Sequence, residues 1–92
     1  MNIFHWDNEK NELFRKNRGI CFEQVVLIME KGEVLDTIRH PNQERYPGQK
    51  IAVVMIDTYV YLVPYIETDD EIFLKTIIPS RKATNKYVRI KK

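Results

Sequence analysis

The residues of this chain best suited to handling an anion stand together at Ser80-Arg81-Lys82. Ser80 has the side chain of a helix N-cap, so Arg81 and Lys82 fall in the first turn of a helix. Free amides at that end favour an anion, and an arginine adds a planar donor fork that matches phosphate. Cations are disfavoured there by the helix dipole unless a negative group compensates. A bound phosphate would do so, and so would an acidic side chain such as Glu67 or Asp70. Lys75 adds a cation on the strand before. From Arg81 onward, Arg81, Lys82, Lys86, Arg89, Lys91 and Lys92 are basic with no acid among them. The chain holds 15 basic groups; taking away these six leaves nine against all 13 acidic groups, a balance of −4. A basic segment on an acidic body either directs a field at an anionic partner, nucleic acid or acidic protein, or serves solubility alone.

Other chemistries find little support. There is no glycine-rich phosphate loop and no paired-cysteine zinc spacing. His5 and His40 are far apart in sequence and make no ligand pair. Cys21, the single cysteine, excludes an intrachain disulfide. It precedes a helix, where a thiol can be activated, but a small buried hydrophobe is the favoured reading. Asp69-Asp70-Glu71, with Glu67 nearby, offers adjacent carboxylates and not converging ones, so a solvated turn is expected over a metal site. No metal and no cofactor are expected. Tyr59, Tyr61 and Tyr65 share one face of a strand. Such a stripe either stacks RNA bases or packs beneath a helix, and the second is favoured.

These residues need a scaffold. Ninety-two residues, 43% hydrophobic and 30% charged, suit one globular domain over residues 1–92 with a modest core. No apolar run reaches the ~18–20 residues of a membrane span, and the N-terminus lacks the basic-then-apolar pattern of a signal peptide. A cytoplasmic protein without membrane association is therefore expected. Residues 2–6 read as a strand. Asp7 caps a helix over 8–18 with Leu13 and Phe14 inward, and Gly19 ends it. Phe22, Val25, Val26 and Met29 recur at helical spacing, predicting a second helix over 22–31 that lies flat on a sheet. Strands are predicted at 34–39, 51–56, 59–66 and 72–78, with a polar loop at 40–49 and a hairpin turn at Asp57-Thr58. Pro64 inside its strand predicts an edge position or a bulge. In the last strand Ile72, Leu74, Thr76 and Ile78 alternate with Phe73, Lys75 and Ile77, which puts Lys75 on the open side. Whether it shares a face with the tyrosines depends on hairpin register. A final helix over 81–90 has poor propensity and must be held by packing through Ala83, Tyr87 and Ile90. The order β-α-α-β-β-β-β-α predicts an α+β domain. Its sheet is an antiparallel meander, with the two N-terminal helices on one face, a short C-terminal helix, and the other face free to work.

Three segments, FHWDNEK (4–10), RGICFEQV (18–25) and IIPSRKAT (77–84), resemble the BrnT family, small bacterial toxins of type II toxin–antitoxin systems. Trp6, Asp7 and Lys10 match the family's first motif, and Arg81, Lys82, Ala83 and Thr84 its last. Cys21 stands where the family commonly has serine, Pro79-Ser80 where it has Ser-Ala, and Thr76 where it often has arginine. The closing helix has Asn85, Lys86 and Arg89 where acids are usual.

The resemblance implies a RelE-like fold and a ribonuclease that inhibits translation. It also implies neutralisation by a cognate antitoxin, commonly DNA-binding and of ribbon-helix-helix type. A metal-independent endoribonuclease of this kind lets the RNA 2′-OH attack the adjacent phosphate, so the protein supplies cations and moves protons. In that scheme Arg81 holds the phosphate, and Lys75 and Lys50 are further cations. His40 is of the residue type best suited to proton transfer near neutral pH. Lys82, Lys86, Arg89, Lys91 and Lys92 would track the RNA backbone. The alternative is a non-catalytic module, an inactive toxin homologue that uses the same surface to bind RNA or antitoxin.

Overall fold

In the computed structural model, residues 3–88 are described. The order is β1 (Ile3–His5), α1 (Asn8–Arg18), α2 (Phe22–Glu30), β2 (Asp36–Arg39), β3 (Gln49–Ile56), β4 (Tyr59–Glu67), β5 (Glu71–Leu74), β6 (Ile78–Pro79) and α3 (Arg81–Val88). It is an α+β domain with three helices on a mixed sheet, ordered β1-β5-β4-β3-β2, with β6 also pairing β4.

The expected meander holds from β2 to β5, where every pairing is antiparallel. It fails at β1, which pairs β5 in parallel, Phe4 beside Ile72 and His5 beside Phe73. The two helices after β1 carry the chain away, so β1 joins the far edge and the sheet is mixed. At the hairpin between β3 and β4, Asp57 takes φ 56° in a two-residue loop that pairs Ile56 with Tyr59.

α1 starts on Asp7, whose carboxylate accepts from the Glu9 and Lys10 amides, and stops at Gly19 with φ 68°. The inward face of this helix differs from expectation. Leu13 is 57% exposed, while Asn11 is buried to 2%. Asn11 is drawn in because it satisfies both sides of the helix junction. Its Oδ1 accepts from the Phe22 amide at 2.7 Å, and its Nδ2 donates to Glu23 Oε1 at 2.9 Å. Phe14 then packs edge-on to Phe22. α2 is amphipathic as its spacing predicts, with Phe22 and Val25 fully buried against Ala52, Val54, Val63 and Tyr65.

Strand alternation sorts the sheet into two faces. Ala52, Val54, Ile56, Val63, Tyr65 and Leu74 lie under α1 and α2, on the helix face. Gln49, Ile51, Val53, Leu62, Ile66 and Phe73 occupy the opposite face. α3 crosses this second face and not the first, with Val53 and Leu62 beneath it. The two N-terminal helices share one face as expected, but the opposite face is not wholly free: the C-terminal helix covers one end of it.

The last predicted strand, 72–78, is broken. β5 pairs Tyr65 with Leu74, while β6 pairs Leu62 with Ile78. Three residues, Lys75–Ile77, thus span the two of β4, Val63 and Pro64, which is a β-bulge. Pro64 is its cause. The Lys75 amide donates to the Pro64 carbonyl at 2.8 Å, but proline has no N–H to return the bond. Lys10 Nζ donates to the Lys75 carbonyl instead, at 3.1 Å. The extra residue reverses the alternation that the sequence suggested. Ile77 is buried to 1% and Ile78 is 44% exposed.

Candidate functional site

The open part of the second face is built in rows across the strands. One row runs from Gln49 to Ile66, Phe73 and His5, continuing the pairings of β3, β4, β5 and β1. His40 extends it beyond β2, its amide donating to the Gln49 carbonyl. The next row holds Ile38, Ile51 and Pro64, with Lys75 bonded to Pro64 at its end. α3 walls the far side.

Ser80 caps α3 as expected, accepting from the Ala83 amide at 3.0 Å. Thr84 anchors the helix to the sheet: its Oγ1 accepts from the Val60 amide at 2.9 Å and donates to the Ser80 carbonyl at 2.7 Å. Tyr87 donates to Asp36 Oδ2 on the edge strand at 3.4 Å. A groove of about 210 Å³ follows the helix, floored by Ile38, Val53 and Leu62, with Lys82 and Lys86 among its lining residues. Arg81 is exposed in the first turn and does not line it. Ala83 and Tyr87 are half-buried as expected, while Arg89, Ile90, Lys91 and Lys92 lie outside the described residues.

The four residues read as catalytic are not gathered at one point. Lys50 pairs with Tyr65 and lies on the helix face, 3.5 Å from Glu67 Oε1, so it is turned away from Lys75. His40 lies tilted at 36° against Tyr46, with ring centres 4.3 Å apart, and accepts through Nδ1 from the Asn42 amide at 3.0 Å. It shares the open face with Lys75, but three strand spacings, about 14 Å, separate β2 from β5. Arg81 sits further along β4, where the Ser80 amide meets Val60.

Register also settles the tyrosines. Tyr65 is paired with Leu74 and faces the helices, opposite to Lys75. Tyr65 is 5% exposed and Tyr61 packs against the core. Burial pushes the Tyr65 phenol above its ordinary value, with the nearby Lys50 charge opposing. Tyr61 and Tyr65 belong with the core, as favoured, while Tyr59 is half-buried and packs edge-on to Tyr61. Cys21 precedes α2 half-buried, its amide donating to Gln24 Oε1 at 2.9 Å. Among the described residues, no three His, Cys, Asp or Glu side chains converge to hold a metal ion, and no helix is long and apolar enough to cross a membrane.

A constellation that sequence reading missed lies at the β1–β5 edge. A groove of about 430 Å³ is lined by His5, Trp6, Lys10, Ile66, Phe73 and Lys75. His5 and Phe73 stack at 4.7 Å and 19°. Lys10 comes from the first turn of α1 and Lys75 from the bulge, so helix and sheet both contribute. The parallel β1–β5 pairing creates the site, and no local pattern announces it. The one sequence signal was Pro64, whose missing N–H draws Lys10 to Lys75. Comparison of the chain with protein-family models, with curated proteins and with solved structures finds no match in any of the three.

Proposed function

We propose that the chain is a BrnT-like toxin with RelE-like topology, a metal-independent endoribonuclease that inhibits translation and is neutralised by a DNA-binding antitoxin of ribbon-helix-helix type. The observation that carries this reading is the open sheet face, with cations from α1, the bulge and α3 at its margins and both histidines along one row. Backbone phosphates of a single strand would meet Lys75 at one side and Lys82 and Lys86 at the other. The imidazole that shares a groove with two lysines is His5, so His5, and not His40, is assigned the proton transfer. Lys75 and Lys10 stabilise charge on the phosphate attacked by the 2′-OH. Arg81 serves the RNA path from α3.

The test is the purified chain, free of antitoxin, on a defined RNA in EDTA. Cleavage leaving 2′,3′-cyclic phosphate ends is expected, lowered at least about tenfold by His5→Gln. Ends carrying 5′-phosphate would point to metal-assisted hydrolysis and sink the mechanism. A second reading, RNA binding without cutting, is favoured by the dispersal of Arg81, His40 and Lys50 over both faces. Intact binding with no cleavage decides for it.

A further inference from the structure

We propose that the groove at the β1–β5 edge is a nucleotide subsite, in which one unpaired base of a single-stranded RNA packs against the Phe73–His5 ring pair and its phosphate meets Lys75. The inference rests on the proposed function in taking RNA as the ligand and deepens the same groove. It adds a place and a set of contacts for one nucleotide.

Four observations point there. The groove, at about 430 Å³, falls within the range of small-ligand pockets. Its walls are aromatic and apolar: Trp6, Phe73 and Ile66, with His5 stacked beside Phe73. Phe73 is 41% exposed, which the core does not require, and an exposed aromatic beside cations suits a base with its phosphate. The charge at the groove is also arranged for an anion. Lys75 is exposed and Lys10 reaches the same bulge. The Asp7 carboxylate, which also borders the groove, already accepts from the Glu9 and Lys10 amides at 2.9 and 3.3 Å. Finally, His5 Nε2 is shielded from solvent without a hydrogen-bond partner among the described residues; Glu71 Oε1 at 3.8 Å is beyond bonding distance. A nucleotide seated in the groove would supply that partner once the ring, whose side chain is 41% exposed, turns to meet it. An acidic peptide would satisfy the lysines but would leave the ring pair unused.

Trp6 is the only tryptophan of the chain and lines the groove, so its emission reports occupancy. The probe is a 2′-O-methylated single-stranded oligonucleotide, which binds without offering a 2′-OH nucleophile. Titration is expected to quench Trp6, while an abasic chain of the same length does not. Phe73→Leu, which keeps apolar bulk but removes the ring, is expected to weaken binding about tenfold and to lose the quench. Unchanged circular dichroism verifies that this variant folds. Lys75→Gln is expected to weaken binding and to lower its salt dependence while keeping the quench at saturation. If Phe73→Leu binds like the parent, the subsite alone is refuted; if the oligonucleotide binds by anisotropy with no change at Trp6, the subsite and the assignment of proton transfer to His5 are refuted together, while RNA binding stands. If it does not bind at all, both fall. Polyglutamate quenching as strongly as the oligonucleotide, or a mononucleotide doing so at equal nucleotide concentration, would also overturn the assignment to RNA.

Discussion

Asn11 shows how one polar side chain can hold two elements together. It is buried to 2%, accepts from the Phe22 amide and donates to Glu23. Asn11→Ala leaves that buried amide unpaired, a loss of about 1–3 kcal/mol at neutral pH, read from urea midpoints. The same bond has a pH signature. The Glu23 carboxyl is held below the usual carboxylate range, first by the Asn11 amide and with help from the Arg15 charge. Its folded pKa is depressed, so its contribution is present above the pKa of an unfolded glutamate. That contribution is lost as pH falls through the lower folded value. Stability measured across the acid range is therefore expected to decline less steeply in Asn11→Ala than in the parent. At this scale the sequence was only partly readable: helical spacing offered Leu13 as the inward residue, and only the α1–α2 junction shows why an asparagine is preferred there.

The bulge between β5 and β6 makes its own demand on elements. Ile77, 1% exposed, and Ile78, 44% exposed, are adjacent and of one type, so alternation without a bulge would exchange their roles. Ile77→Ala is expected to cost about 2–5 kcal/mol as a core truncation. Ile78→Ala is expected to cost under about 1 kcal/mol. Equal losses in denaturation, or a larger loss at Ile78, would show that the strand runs unbroken. At α3, Ser80→Ala removes the cap to Ala83 and is expected to cost about 1 kcal/mol, measured by thermal unfolding. Pro64 left an edge position or a bulge open; β4 is interior and the bulge holds, but the sequence did not say which strand would carry the extra residue. That depends on which neighbour lies on the side where proline lacks its N–H.

For the whole molecule, the division of charge between faces matters more than the net charge of +2. Lys50 is on the helix face beside Glu67, whereas Lys82 and Lys86 flank the open face. RNA affinity is expected to change less than about twofold in Lys50→Ala, since a screened charge on the far side adds little. Lys82→Ala and Lys86→Ala are each expected to lower the slope of log K against log salt by about 0.7 wherever they neutralise a phosphate. Equal salt slopes for all three variants would place the RNA elsewhere.

Local chemistry made much of this protein legible. Asp7 and Gly19 bracket α1, the apolar spacing of Phe22 and Val25 marks α2, and Ser80 starts α3, because caps and periodicity act within a few residues. The α+β class follows from the order of those elements. What remained was decided between residues distant in sequence. The parallel pairing of β1 with β5, the crossing of α3 onto the second face and the reach of Lys10 to the bulge join segments 24 to 68 residues apart. Side-chain alternation shows which residues share a face of one strand, but only paired strands show which faces meet. That is why His5, Phe73 and Lys75 could be read singly from the sequence, and as one groove only from the fold.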